Sequence, residues 1–166
     1  MQRRHLLCLA VAAPVLVGGP AFGQSSAATA GPVVLSLEGQ VTGGPRDFTL
    51  AALEAIGMET VITTTPWTRG PQEFSGVPLG RLLTTTGNQD TQLLQAEALN
   101  RYTVALPAGD AWDNGALLAT RLGGEVMRVR DRGPIWLVFP WSSRPELDRS
   151  EMHERAIWQL RRIRLQ

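Results

Sequence analysis

The chain has 166 residues, with sixteen basic and fifteen acidic side chains for a formal net charge of +1, and every basic residue is arginine. One cysteine, two histidines and no lysine exclude an internal disulfide and a Schiff-base lysine. The near-neutral charge argues against a nucleic-acid partner, and the length suits one domain with a real core.

At the N-terminus, Arg3 and Arg4 precede an apolar run from Leu6 to Val17, followed by Ala21-Phe22-Gly23. A membrane span needs ~20 apolar residues, whereas a short apolar run between paired arginines and small residues is the pattern of a secretory signal. The pattern predicts a signal peptide over 1–23, cut before Gln24, and a periplasmic location; a buried core helix is the alternative. The arginine pair is compatible with both the general secretory and the twin-arginine routes. Cys8 lies inside the apolar run instead of at its end, against a lipoprotein anchor. Cleavage removes Cys8, His5, Arg3 and Arg4, turning the net charge to about −1. It leaves no thiolate and no Cys/His zinc set.

Residues 24–32 are a Ser/Ala/Thr/Gly stretch with nothing to pack, read as a flexible lead-in to a domain over 33–166. From Val33, Leu35, Leu37 and Val41 alternate with polar residues at a strand's period of two. Thr49 is placed to cap a short helix carrying Leu50, Leu53 and Ile56 and stopped by Gly57. The β-branched run 58–65 predicts a strand, 67–76 a Gly/Pro-rich loop, and 77–83 a second short helix. Two strands are predicted within 92–106 around Asn100-Arg101, then a turn-rich stretch over 108–115 and an apolar strand over 116–122. Gly123-Gly124 has the dipeptide form of a hairpin turn, with a returning strand over 125–130 that puts Arg128 and Arg130 on one face. Ile135 to Phe139 is continuously apolar, as in a strand buried on both faces. The last predicted strand, 156–165, sets Trp158 and Leu160 opposite Ile157, Ile163 and Leu165. The sum is an α+β, mainly β, single domain.

Three stretches in order carry a family resemblance: 63–68 (Thr-Thr-Thr-Pro-Trp-Thr) running to Gly76-Val77-Pro78-Leu79, 130–140 with Gly133-Pro134-Ile135-Trp136, and Trp158-Gln159-Leu160 near the end. Together they resemble the oxidoreductase molybdopterin-binding domain, the fold of sulfite oxidase and of the periplasmic methionine sulfoxide reductase catalytic subunit. In enzymes of that family a cysteine before the Trp loop ligates molybdenum; here Thr63 or Thr64 occupies that region, and a hydroxyl is a poor substitute for a soft thiolate. The chain also lacks the family's Arg- and Gly-rich stretches for the cofactor pyrophosphate. Small exported members without the cysteine exist, and some are similar to periplasmic pterin-binding proteins that report to a membrane-bound cyclic-di-GMP regulator.

The resemblance therefore implies a binding protein for a pterin-like small molecule, with no tightly bound cofactor and no metal, relaying occupancy to a membrane-bound signalling protein. The alternative is a periplasmic molybdopterin-dependent oxidoreductase holding its metal through the dithiolene alone, and a third reading is a scaffold with an empty pocket. A pterin needs a stacking surface and partners for its aminopyrimidinone edge. Trp67 offers an indole face or is a core plug; Thr64 and Thr65 offer hydroxyls or strand propensity. Arg128, Arg130 and Asp131 suit the polar edge or form a surface ion pair; Trp141 is a second wall or packing. His153, in a charged helical segment, reads as a solvated residue or a base. Arg161, Arg162 and Arg164 read as a docking patch or a solvated strand edge, and Trp136 and Trp158 as core.

Overall fold

The structure, a computed structural model, describes residues 31–166, so the expected signal peptide and most of the lead-in lie outside the described residues. Two sheets enclose one core. The first has the order β2-β1-β10-β5-β6, built from β1 (Val33–Gly39), β2 (Arg46–Thr49), β5 (Leu93–Ala98), β6 (Thr103–Pro107) and β10 (Leu160–Leu165). The second has the order β3-β4-β7-β8, from β3 (Glu59–Thr63), β4 (Gln72–Pro78), β7 (Leu117–Leu122) and β8 (Glu125–Val126), with β9 (Trp136–Val138) also paired to β7. Leu35, Leu37, Ile163 and Leu165 of the first sheet and Phe74, Val77, Leu118 and Trp136 of the second share a single buried cluster. At roughly 1.5–3 kcal/mol per large apolar side chain, this burial is the main force holding the sheets together.

Short helices close the gaps between the sheets. In α1 (Leu50–Glu54), Thr49 Oγ1 accepts from Ala52 N at 3.2 Å, the cap read from the sequence. Leu53 is buried, and Glu54 reaches β7, where it accepts from Thr120 Oγ1 (2.7 Å) and from Arg121 Nε and Nη2 (3.0 and 2.9 Å). Burial alone would raise the Glu54 pKa, but these hydrogen bonds and the Arg121 charge outweigh it and hold the carboxyl below its ordinary range. α2 (Leu79–Thr85) and α3 (Ala108–Trp112) pack together, and α4 (Ser150–Arg155) lies against β6. Arg155 Nη1 of α4 is 3.2 Å from Asp110 Oδ1, a buried carboxylate on α3.

The mainly β, α+β class agrees with the sequence reading, and so does the Gly123-Gly124 hairpin: φ is +59° and +81° at the two glycines, and Leu122 pairs with Glu125 across them. Four expectations need correction. The predicted 67–76 loop gives way to β4 from Gln72, because Phe74 and Gly76 face inward between outward Glu73 and Ser75; Val77 and Pro78 are strand, not helix. Gly76 is required where β4 crosses β7, since a Cβ there would sit 2.0 Å from the Leu118 carbonyl oxygen. The strand expected over 125–130 is only two residues long, and Val129–Asp131 is a 3-10 turn. The last strand begins at Leu160 instead of Ala156, and a bulge between Leu160 and Arg162 brings Leu160, Ile163 and Leu165 to the same buried side. β10 is also central, not an edge, so Arg162 pairs with Glu38 and Glu97 (2.9 and 3.1 Å) and Arg164 with Glu38 (3.5 Å).

Candidate functional site

The end of β3 and the loop after it meet the segment following β9. Thr63, the last residue of β3, is fully buried. Its hydroxyl donates to Thr64 O at 3.2 Å and accepts from Ser142 N at 3.1 Å. Thr64 N in turn donates to Ser142 Oγ at 2.8 Å, while Thr64 Oγ1 is a looser 3.4 Å from the same hydroxyl. Thr65 Oγ1 accepts from Trp67 N and exchanges a 3.0 Å hydrogen bond with Thr68 Oγ1, which shapes the loop. A cleft of about 320 Å³ opens beside these residues, lined by Thr64, Thr65, Pro66, Trp141, Asp148 and His153.

His153 is the feature that the sequence reading underrated. Helix α4 turns its imidazole inward, where Nε2 is 2.7 Å from Asp148 Oδ1 and the ring lies edge-on to both Trp67 (6.2 Å) and Trp141 (5.7 Å). Its side chain is only 27% exposed, and it forms a partition between two hollows. On one side lies the Thr64 cleft. On the other is a pocket of about 250 Å³ lined by Trp67, Trp158, Tyr102 and Glu154 among others.

This partition divides the residues expected to act together. Thr64, Thr65 and Trp141 line the first cleft, whereas Trp67 faces the second pocket and packs against Trp136 (6.0 Å) and Trp158 (5.2 Å). Trp141 is nearly fully buried, with Nε1 donating to Leu147 O at 3.0 Å, so it offers the cleft only an edge. Arg128 and Asp131 line a third hollow, and Arg130 and Asp131 a fourth that adjoins Trp158. Arg128 Nε lies 2.7 Å from Asp131 Oδ2 and Arg130 Nε 3.8 Å, an exposed ion pair, and Arg128 and Arg130 do not share a strand face as expected. Trp158, expected in the core, is partly buried and lines the second pocket, whereas Trp136 is fully buried and donates from Nε1 to Ala156 O at 3.2 Å. Arg132, at φ +71°, stacks over both Trp136 (5.1 Å) and Trp158 (5.5 Å) and donates to Trp67 O, tying the loop to the 3-10 turn.

Asp148, Ser142 and Tyr102 were not singled out from the sequence. An Asp five residues before a His, across the start of a six-residue helix, leaves no periodic trace. A lone serine in Trp141-Ser142-Ser143 looks like any turn residue until Thr63 and Thr64 are folded against it.

The family model described as the oxidoreductase molybdopterin binding domain matches residues 32–143. The chain belongs to this family. A solved structure of similar fold is the sulfane dehydrogenase SoxCD from Paracoccus pantotrophus, with a TM-score of 0.60 and 23% identity over 79% of this chain. The likeness covers 37% of that chain, so this chain spans well under half of its length, and at this identity the fold alone is shared. No curated protein matches the sequence. The match ends at residue 143, so Asp148, His153 and Trp158 stand beyond it. Of the two functions expected from the sequence, family membership favours the molybdopterin-dependent one over relay of a free pterin signal.

The metal end of a molybdopterin cofactor does not fit the residues present. Both candidates for the ligand position are hydroxyls, and that of Thr63 is engaged in two hydrogen bonds to backbone inside the core. Among the described residues no group of three His, Cys, Asp or Glu side chains converges to hold a metal. The pterin end fits better: the cleft offers the Thr64 hydroxyl, the second carboxylate oxygen of Asp148 and the imidazole of His153 around a volume suited to a small bicyclic ring.

Proposed function

We propose that the chain binds a pterin of the molybdopterin class in the cleft between the β3–β4 loop and α4, through polar side chains and without a protein bond to the metal. The supporting observation is the placement of the two threonines of the family's metal-ligand region: Thr63 is buried with its hydroxyl turned to backbone, while the cleft lined by Thr64 stays open. In this reading Asp148 accepts from the amine and ring N–H of the aminopyrimidinone edge, a role expected from Asp131, and Thr64 donates to a ring nitrogen or carbonyl. His153 orients Asp148 through their 2.7 Å hydrogen bond.

Fluorescence titration with oxidised and reduced pterins and with isolated molybdopterin tests this. Saturable binding to the wild type, weakened about tenfold or more by Asp148→Asn, is the expected result, since a lost charge-assisted hydrogen bond costs about 1.5–3 kcal/mol. Folded protein that binds none of these compounds overturns the reading.

The second reading is a molybdopterin-dependent oxidoreductase, favoured by the family match. The His153–Asp148 pair gives the same cleft a group able to hold a proton near a bound ligand. Metal analysis of protein made in a molybdopterin-competent host decides between them: stoichiometric molybdenum that cycles electrons establishes the enzyme. The periplasmic location and a membrane-bound signalling partner accompany the first reading as further proposals, checked by localisation of the processed chain and by co-purification from membranes.

A further inference from the structure

The pocket on the other side of His153 differs in kind from the cleft. Trp67 and Trp158 meet at 88° with ring centroids 5.2 Å apart, so they form a corner and not a parallel slot. Tyr102 lines a further side, held to α4 by its hydroxyl, which donates to Glu154 O at 3.3 Å. Ala98, Ala156 and Ile157 add apolar lining, and Asn100, His153 and Glu154 supply the polar groups. A flat ring needs two parallel faces to be sandwiched; a corner of two indoles with Tyr102 lining the pocket beside them suits a compact, rounded group.

The charge pattern specifies that group further. The faces of the three rings are electronegative. Among the described residues no arginine lines the pocket, although the chain has sixteen and no lysine. The Glu154 side chain is exposed at the rim, and the adjacent Arg155 is directed to the buried Asp110 instead of to Glu154. The one guanidinium that lies over Trp158, from Arg132, lines the neighbouring hollow. A primary ammonium entering here would lose hydration from three N–H donors with few acceptors to replace it. A fully methylated nitrogen has no N–H to satisfy and presents a rounded apolar surface carrying positive charge.

We propose that this pocket binds the quaternary ammonium group of a small organic cation, with Trp67, Trp158 and Tyr102 as cage walls and Glu154 as the counter-charge. The inference is independent of pterin binding, because the cage lies across His153 from Thr64 and Asp148. The test compares choline with 3,3-dimethylbutan-1-ol, its neutral isostere, by tryptophan fluorescence and calorimetry on the mature chain. Choline is expected to bind saturably and at least about tenfold more tightly than the alcohol, the size of a desolvated cation–π contribution. Tyr102→Leu and Glu154→Gln, both at exposed positions and so compatible with folding, are each expected to weaken choline binding about threefold to tenfold. Equal binding of the two compounds, or no choline binding up to about 50 mM, overturns the proposal. Pterin titration of the same preparations separates this failure from failure of the cleft reading.

Discussion

The two hollows on either side of His153 use their side chains in opposite ways. In the Thr64 cleft the wall groups are largely engaged with each other: Thr63 with Thr64 and Ser142, Thr65 with Thr68 and Trp67, Trp141 with Leu147. In the Trp67 pocket the two indoles meet at right angles, and polar contacts among its lining residues, such as Tyr102 Oη to Glu154 O and Tyr102 N to Asn100 Oδ1, do not engage the indoles. A cleft can therefore hold its shape through hydrogen bonds that also occupy most of its own wall. Ligand recognition is then left to the less engaged groups around it.

The Trp67 pocket is supported from the core by Trp136, which packs on Phe74, Trp67 and Trp158. Trp136→Ala is expected to destabilise the fold by about 3–5 kcal/mol and to disturb the Trp67 pocket more than the Thr64 cleft, read by urea unfolding alongside choline and pterin titrations. Equal loss of both would show that the partition does not separate them.

Thr63→Val tests whether the old ligand position is structural. The variant leaves Ser142 N without its buried partner, with an expected cost of about 1–3 kcal/mol in chemical denaturation. A neutral outcome would show that the Thr63 hydroxyl does not hold Ser142 in place.

Glu54 serves as a reference point remote from either hollow. Because its folded pKa lies below the ordinary carboxylate value, its contribution is fully present above that value and is lost as pH falls through the lower, folded one. Glu54→Gln is expected to lower stability near neutral pH and to flatten this acid limb in pH-resolved thermal melts. The smallest effect is expected at the exposed Arg128–Asp131 pair: Arg128→Ala should change stability by less than about 0.5 kcal/mol and leave pterin binding intact. A large loss of pterin affinity there would restore the 128–131 region to the site.

What could be read from the amino acids followed from local physics. Alternation at Leu35 and Leu37, the Thr49 cap and the Gly123-Gly124 turn are short-range signals, and each produced the element it predicts. The errors arose where long-range packing decides. β4 is a strand because β3 and β7 flank it, and Arg162 and Arg164 of β10 are paired because β1 and β5 carry Glu38 and Glu97 beside them. The site was the least legible, since α4 inserts His153 between Trp67 and Trp141, and Asp131 sits on a 3-10 turn that lines other hollows.

The pairing of β1 with β10 carries a consequence for how the chain reaches this state. Ser36 lies beside Arg162 in a parallel ladder, so the first strand of the domain gains its central neighbour only when almost the whole polypeptide is available. β10 also separates β1 from β5, so the first sheet is two disconnected hairpins until that segment docks. β10 thus acts as a latch: deleting it should leave a chain that collapses without closing, and completion of the first sheet in the cell has to wait until this strand has been made.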